Sequence, residues 1–203
     1  MDIHTLLLFA ATVLPLICVP GPDMLFIASQ ALGGDADAGL RATAGVCAGY
    51  VAHSLLVALG LAAVIAASPL LFNALRWVGV AYLVYLAARL LRSAMRPGQL
   101  DLPTTRSASP WRRGFLTAVL NPKGMMIYFA ILPQFMHAEH AVALQALLLS
   151  AIFIALCALV YSLLSIALAT TGRAGGLSDR RRRCVEGISG GMLIAAAARL
   201  ASR

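Results

Sequence analysis

The chain has 203 residues, 61% of them hydrophobic and 12% charged, with a formal net charge of +8. Soluble domains average about 45–50% apolar and about 25% charged residues, and a domain this small keeps much of its surface wet. The composition therefore excludes a soluble globular protein and assigns the apolar excess to lipid. The arginines fall between apolar runs, where membrane topology accounts for them, so the positive charge is not read as a nucleic-acid surface.

A span takes roughly 20 apolar residues, which leaves room for about six spans in one domain, 1–203. Only Asp2 and His4 precede the first run, so the start lacks the positive charge of a signal peptide. That run extends from Leu6 to about Leu32, broken by prolines at 15, 20 and 22 and by Asp23. Gly33-Gly34-Asp35 reads as a loop. The second run follows Arg41 and reaches Ala67, and Ser68-Pro69 ends it. The third covers about Leu70 to Leu91. A polar stretch, 92–113, joins two halves, 1–91 and 114–203. The fourth run covers about Gly114 to Met136 and the fifth Ala141 to Thr171. The sixth, about Val185 to Leu200, is short for a span. Five spans, with this run lying at the interface, stays open.

Arginine sets the orientation, because cytoplasmic loops carry excess Lys and Arg. Residues 89–113 hold six arginines and 173–183 hold five, whereas the connections at 67–69 and 137–140 hold none. The expected topology is six spans with both termini outside and the 92–113 loop in the cytoplasm. Two halves of three helices then insert in opposite senses, the inverted plan of many transporters. The fold class is accordingly an all-α membrane protein of six transmembrane helices, two inverted three-helix halves with broken first and fourth helices.

Two places break the rule against polar groups at membrane depth. In Pro20-Gly21-Pro22-Asp23, the prolines remove two backbone donors and open the helix. Open backbone is tolerated there only inside protein or beside a water-filled cavity. Asp23 follows directly, and an intramembrane acid costs about 2.5–3.5 kcal/mol on insertion scales. The second place is Asn121-Pro122-Lys123-Gly124, with the only lysine in the chain. Their depths match, so Asp23 and Lys123 can meet, lower each other's burial cost and offer opposite charges to a zwitterion. The plainer alternatives are a kinked helix with a snorkelling acid and a lysine snorkelling to the nearby surface.

His53 in the second span and Gln134 in the fourth are further candidates for lining a path. Tyr50, Tyr82, Tyr85 and Tyr161 are weaker ones. The GxxxG patterns at 45/49 and 187/191 allow close helix approach and leave a homodimer open. The cysteines at 18, 47, 157 and 184 have no metal-ligand spacing and read as packing residues. No cofactor, metal or enzymatic constellation is expected.

With these motifs the chain resembles the LysE/RhtB family of bacterial amino-acid exporters. The resemblance rests on Pro20-Gly21-Pro22-Asp23, the Ala44-Gly45 to Gly49 opening of the second span and Gly79 with Ala81-Tyr82-Leu83. Asn121-Pro122-Lys123 and Leu132-Pro133-Gln134-Phe135 complete it, and it covers nearly the whole chain. The sixth region departs from the pattern, being arginine-flanked and rich in Ala and Gly. The resemblance implies a multi-pass protein of the bacterial inner membrane that exports small amino acids, driven by the proton-motive force. It carries functional weight to Asp23, Lys123 and their prolines. The apolar interior favours a neutral solute such as threonine, homoserine or a branched-chain amino acid. A channel or structural membrane subunit is the alternative, and its polar helix faces are not apparent in these spans.

Overall fold

In the computed structural model, the described residues are 1–33, 35–67, 109–137 and 141–171, with single helical positions between 77 and 95 and between 183 and 198. They form helices and no strand. The elements are α1 (Ile3–Cys18), α2 (Pro22–Gly33), α3 (Ala36–Ala67), α4 (Pro110–Val119), α5 (Pro122–Met126) and α6 (Val142–Thr171). The third span, most of the polar loop, the 173–183 loop and the sixth run lie outside the described residues, and so does the inverted symmetry that depends on them.

α3 and α6 are each long and apolar enough to cross a membrane alone, over Ala36–Gly60 and Val142–Thr170. α1 and α2 qualify only as a pair, bent by 55°, and so do α4 and the segment Lys123–Phe135, bent by 50°. The first and fourth runs are thus broken helices, as their prolines predict. The fourth begins at Pro110 rather than Gly114. Proline is preorganised for the first helical position, so residues 110–113 belong to the helix and not to the loop.

Local chemistry sets the ends. The Asp2 carboxylate caps α1 by accepting from the Thr5 amide at 2.9 Å, and the Thr5 bonds hold its pKa below the ordinary aspartate value. Val19 precedes Pro20 and is extended, with φ −67° and ψ 128°, as the proline ring requires. Asn121 precedes Pro122 and is likewise extended, with φ −75° and ψ 112°. Beyond Met126 the ladder widens into a π turn, Ile127–Ile131, and then tightens into a 3-10 turn, Leu132–Phe135. Pro133 has no amide to donate, which accounts for the loosened ladder at this end.

α3 is the centre of the packing, against α4 and α6 above all. Its contact with α4 is backbone on backbone. A Cβ added at Gly45 would lie 2.0 Å from the Trp111 carbonyl oxygen, and one at Gly114 would lie 2.4 Å from that of Ala42. The small residues at 45 and 49 therefore serve a contact within the chain, the close approach that such spacing permits. Phe9, Val13 and Leu16 of α1, Val46 and Val57 of α3, and Leu149 and Phe153 of α6 fill one core. On the outside, Leu7, Leu55, Leu59, Leu144, Leu159 and Leu163 are exposed. An apolar surface on both long helices is what lipid contact requires.

Candidate functional site

The two breaks meet. Asp23, in the first turn of α2, is only 2% exposed. Its Oδ2 accepts from the Asn121 side-chain amide at 2.7 Å and from the Tyr50 hydroxyl of α3. Its Oδ1 is buried with no hydrogen-bond partner. A buried carboxylate normally has its lone pairs matched, so this oxygen is a point where a further donor fits.

Asn121 does two jobs at once. Its Oδ1 accepts from the Lys123 backbone amide at 3.0 Å, capping α5 in front of the proline at the first helical position. Its amide nitrogen then faces Asp23. The Asn-Pro-Lys sequence is thus a helix restart whose cap also holds the acid.

Lys123 reaches the other break. Its ammonium donates to the Val19 carbonyl at 2.7 Å. Val19 closes α1, where the last carbonyls lack intrahelical partners and a cation is favoured by the helix dipole. The expected pairing of Asp23 with Lys123 takes an indirect form. Among the described residues the ion pair present is Arg41–Asp37, 2.7 Å, on the exposed start of α3. The second break instead supplies both groups that satisfy the first: Asn121 serves Asp23, and Lys123 serves Val19.

Glycines make room for this exchange. A Cβ at Gly21 would press on the Lys123 stem at 3.2 Å, and one at Gly124 would lie 2.6 Å from the Tyr50 ring. Bulk at 124 would therefore push Tyr50 away from Asp23. Tyr50 also stacks on Tyr128 at 6.0 Å and meets Phe153 edge-on at 4.9 Å. His53, buried on the same helix, sits 5.6 Å from the Tyr128 ring. Its Nε2 donates to the Ala118 carbonyl at 3.3 Å, and its Nδ1 is buried without a partner. Polar side chains thus line one interior region from Asp23 through Tyr50 to His53.

The structure brings Pro20, Gly21, Pro22, Asp23, Asn121, Pro122 and Lys123 to one place, with His53 beside it. Gln134 stays apart, donating to the Ala130 carbonyl of its own turn. Tyr50 was only a weak candidate from the sequence. The signal that points to it is a hydroxyl three residues before His53 in an otherwise apolar span, which puts both on one helix face. Among the described residues no group of His, Cys, Asp and Glu is placed to hold a metal.

A groove opens beside this cluster. Pro22 and Phe26 of α2 form one wall, and Arg113, Leu116, Thr117, Leu120 and Asn121 form the other, around about 490 Å³.

Known proteins match the chain along most of its length. An uncharacterized membrane protein of Pseudomonas aeruginosa is 31% identical over 87% of this chain and 83% of its own. A leucine efflux protein of an Enterobacter species is 28% identical over 92% of this chain and 90% of its own. A leucine efflux protein of Klebsiella pneumoniae is 29% identical over 74% of this chain and 73% of its own. No solved structure matches. A family model described as LysE type translocator matches residues 14–203, which takes in both breaks and the whole of the Asp23 cluster. The chain belongs to the LysE type translocator family.

Proposed function

We propose that this protein exports a small neutral amino acid, leucine or a similar branched-chain solute, across the bacterial inner membrane, driven by the proton gradient. The observation that carries the reading is Asp23: an acid buried where two broken helices meet, with one carboxylate oxygen unmatched. A proton-coupled carrier needs a group that alternates between loaded and empty, and an intramembrane acid facing other polar groups is suited to that. The freed amides and carbonyls at broken helices suit the two ends of a zwitterion. The relatives named as leucine efflux proteins support the substrate class. The apolar interior supports a neutral solute over a dicationic one.

In this reading Asp23 is the coupling acid, Asn121 and Tyr50 are its partners, and Lys123 with the prolines keeps the breaks open. His53 is a secondary proton-holding group. Six spans with both termini outside complete the proposal. Cysteines introduced near Gln99 and Ser178 in a cysteine-free background are expected to label from the cytoplasm, and one at Glu139 from outside. Labelling of position 99 from outside intact cells would reverse the topology.

The functional test is leucine accumulation in proteoliposomes under an imposed pH difference. One pH unit corresponds to about 1.4 kcal/mol per proton, so one proton per solute sustains about a tenfold leucine gradient. Accumulation that persists after a protonophore removes the pH difference would overturn proton coupling. A conductance that never concentrates leucine would favour a channel.

A further inference from the structure

Arg113 and Thr117 stand four residues apart and share a face of α4, and Asn121 follows at the break that ends it. They line the groove described above. The Arg113 guanidinium is exposed and has no hydrogen-bond or ion-pair partner among the described residues. At the other end, Asn121 is buried and donates to Asp23. A rise of roughly 1.5 Å per residue puts about 6 Å along α4 between Arg113 and Thr117, with the break beyond them. The opposite wall, Pro22 and Phe26, is apolar, and Leu116 and Leu120 add apolar surface. Its volume of about 490 Å³ falls in the range of about 300–1,000 Å³ typical of small-molecule sites.

We propose that this groove is the loading site for the transported solute, with Arg113 binding the α-carboxylate and Phe26, Leu116 and Leu120 selecting an apolar side chain. The inference rests on the export reading and adds where the solute is first held and what selects it. Charge complementarity argues for the carboxylate, because the guanidinium fork has no partner among the described residues and matches it in geometry. Continuity argues for a solute on its way inward, because the groove ends on the residue that holds Asp23. The solute's ammonium sits on the same carbon as its carboxylate, so a solute released by Arg113 meets the Thr117–Asn121 end only after moving along the groove. Asn121 then acts as a shutter: a donor arriving there competes for Asp23, whose Oδ1 is still unmatched. Phe26 and Leu116 are apolar and give no partner to a second charge.

The experiment measures leucine exchange by the full chain in proteoliposomes of pure phosphatidylcholine and of phosphatidylcholine with phosphatidylglycerol. Arg113→Gln is expected to raise the apparent KM for leucine about tenfold or more, the loss of one charged hydrogen-bonded contact. The maximal rate is expected to hold. Arg113→Lys is expected to recover part of the affinity. 3-Methylbutylamine, which is leucine without its carboxylate, is expected to compete weakly with wild type and equally weakly with Arg113→Gln. Phe26→Ala is expected to narrow the preference for leucine over alanine without touching the charge.

An unchanged leucine KM in Arg113→Gln in both lipids overturns the proposal while leaving export standing. A defect seen only with phosphatidylglycerol overturns it too, since the groove then holds a lipid headgroup. If wild type exchanges no amino acid in either lipid, the export reading itself falls, and the loading site falls with it.

Discussion

The two breaks use the same backbone device and opposite charges. Each restarts a helix with proline at the first position, Pro22 and Pro122, and each places a charged residue directly after it, Asp23 and Lys123. An acid in the first turn of a helix is favoured by the dipole and a cation there is not. Asp23 accordingly stays at its own helix start and draws donors to it. Lys123 instead leaves its helix start and binds the carbonyl that ends α1. One break thus holds an acid that receives neutral donors, and the other sends its positive group away. The difference shows how a chain with few polar residues at depth arranges two open helices around one acid, one amide, one lysine and the Tyr50 hydroxyl.

The sharpest way to break this comparison is to remove the acid's charge. Asp23→Asn keeps the shape and still accepts from Tyr50, but it cannot release a proton. With one pH unit imposed, wild type is expected to hold about a tenfold leucine gradient and the variant none, while leucine exchange at equal concentrations survives. Full accumulation by Asp23→Asn would take Asp23 out of the coupling role. Asn121→Ala is expected to have the next largest effect. It removes a helix cap, about 1 kcal/mol, and a hydrogen bond to a charged group, about 1.5–3 kcal/mol. The melting temperature in detergent is expected to fall accordingly, and to fall further than for Lys123→Met, which leaves only Val19 without its partner.

The prolines separate the breaks in another way. In a continuous helix the Val19 carbonyl accepts from the amide of residue 23. Pro20→Ala with Pro22→Ala restores two backbone donors and is expected to let that ladder close, releasing Lys123. The protein is expected to remain as stable as wild type or gain stability, while leucine export falls several-fold. A double variant that exports at the wild-type rate would make the first kink purely structural.

Much of this arrangement was legible in the sequence, because proline acts locally. Pro20, Pro22 and Pro122 dictate where helices open whatever surrounds them, and the charged residues beside them mark the depth. The long apolar runs of α3 and α6 are equally plain. What the sequence did not disclose are the partners. Tyr50, Asn121 and Val19 are chosen by how α3 packs on α4, and that packing rests on backbone contacts at Gly45 and Gly114. The expectation of a direct Asp23–Lys123 pair followed from matching depths alone. Depth fixes one coordinate, and rotation about each helix axis fixes which donor faces which acceptor. Gln134 is placed by the same rule: its turn, loosened at Pro133, directs the amide to Ala130. The start of α4 at Pro110 was missed because arginines 112 and 113 read as loop. They lie on the exposed side of a helix whose buried residues are Gly114 and Ala118.

The finest test concerns which pairs are coupled. Asp23 and Asn121 share a hydrogen bond, so a double-mutant cycle of Asp23→Asn with Asn121→Ala is expected to give a coupling of about 1–3 kcal/mol in stability. Asp23 and Lys123 share no direct bond and interact only through the field between them and through the cap on the Lys123 amide. The cycle of Asp23→Asn with Lys123→Gln is therefore expected to give a smaller coupling. If the two positions were a direct ion pair, the order would invert, because removing either partner would strand the other charge in a medium that solvates it poorly. Thermal unfolding of the single and double variants, in one detergent and at one pH, decides between these outcomes. A larger Asp23–Lys123 than Asp23–Asn121 coupling would mean that the charges face each other in the membrane, and that Lys123 serves the acid rather than the Val19 carbonyl.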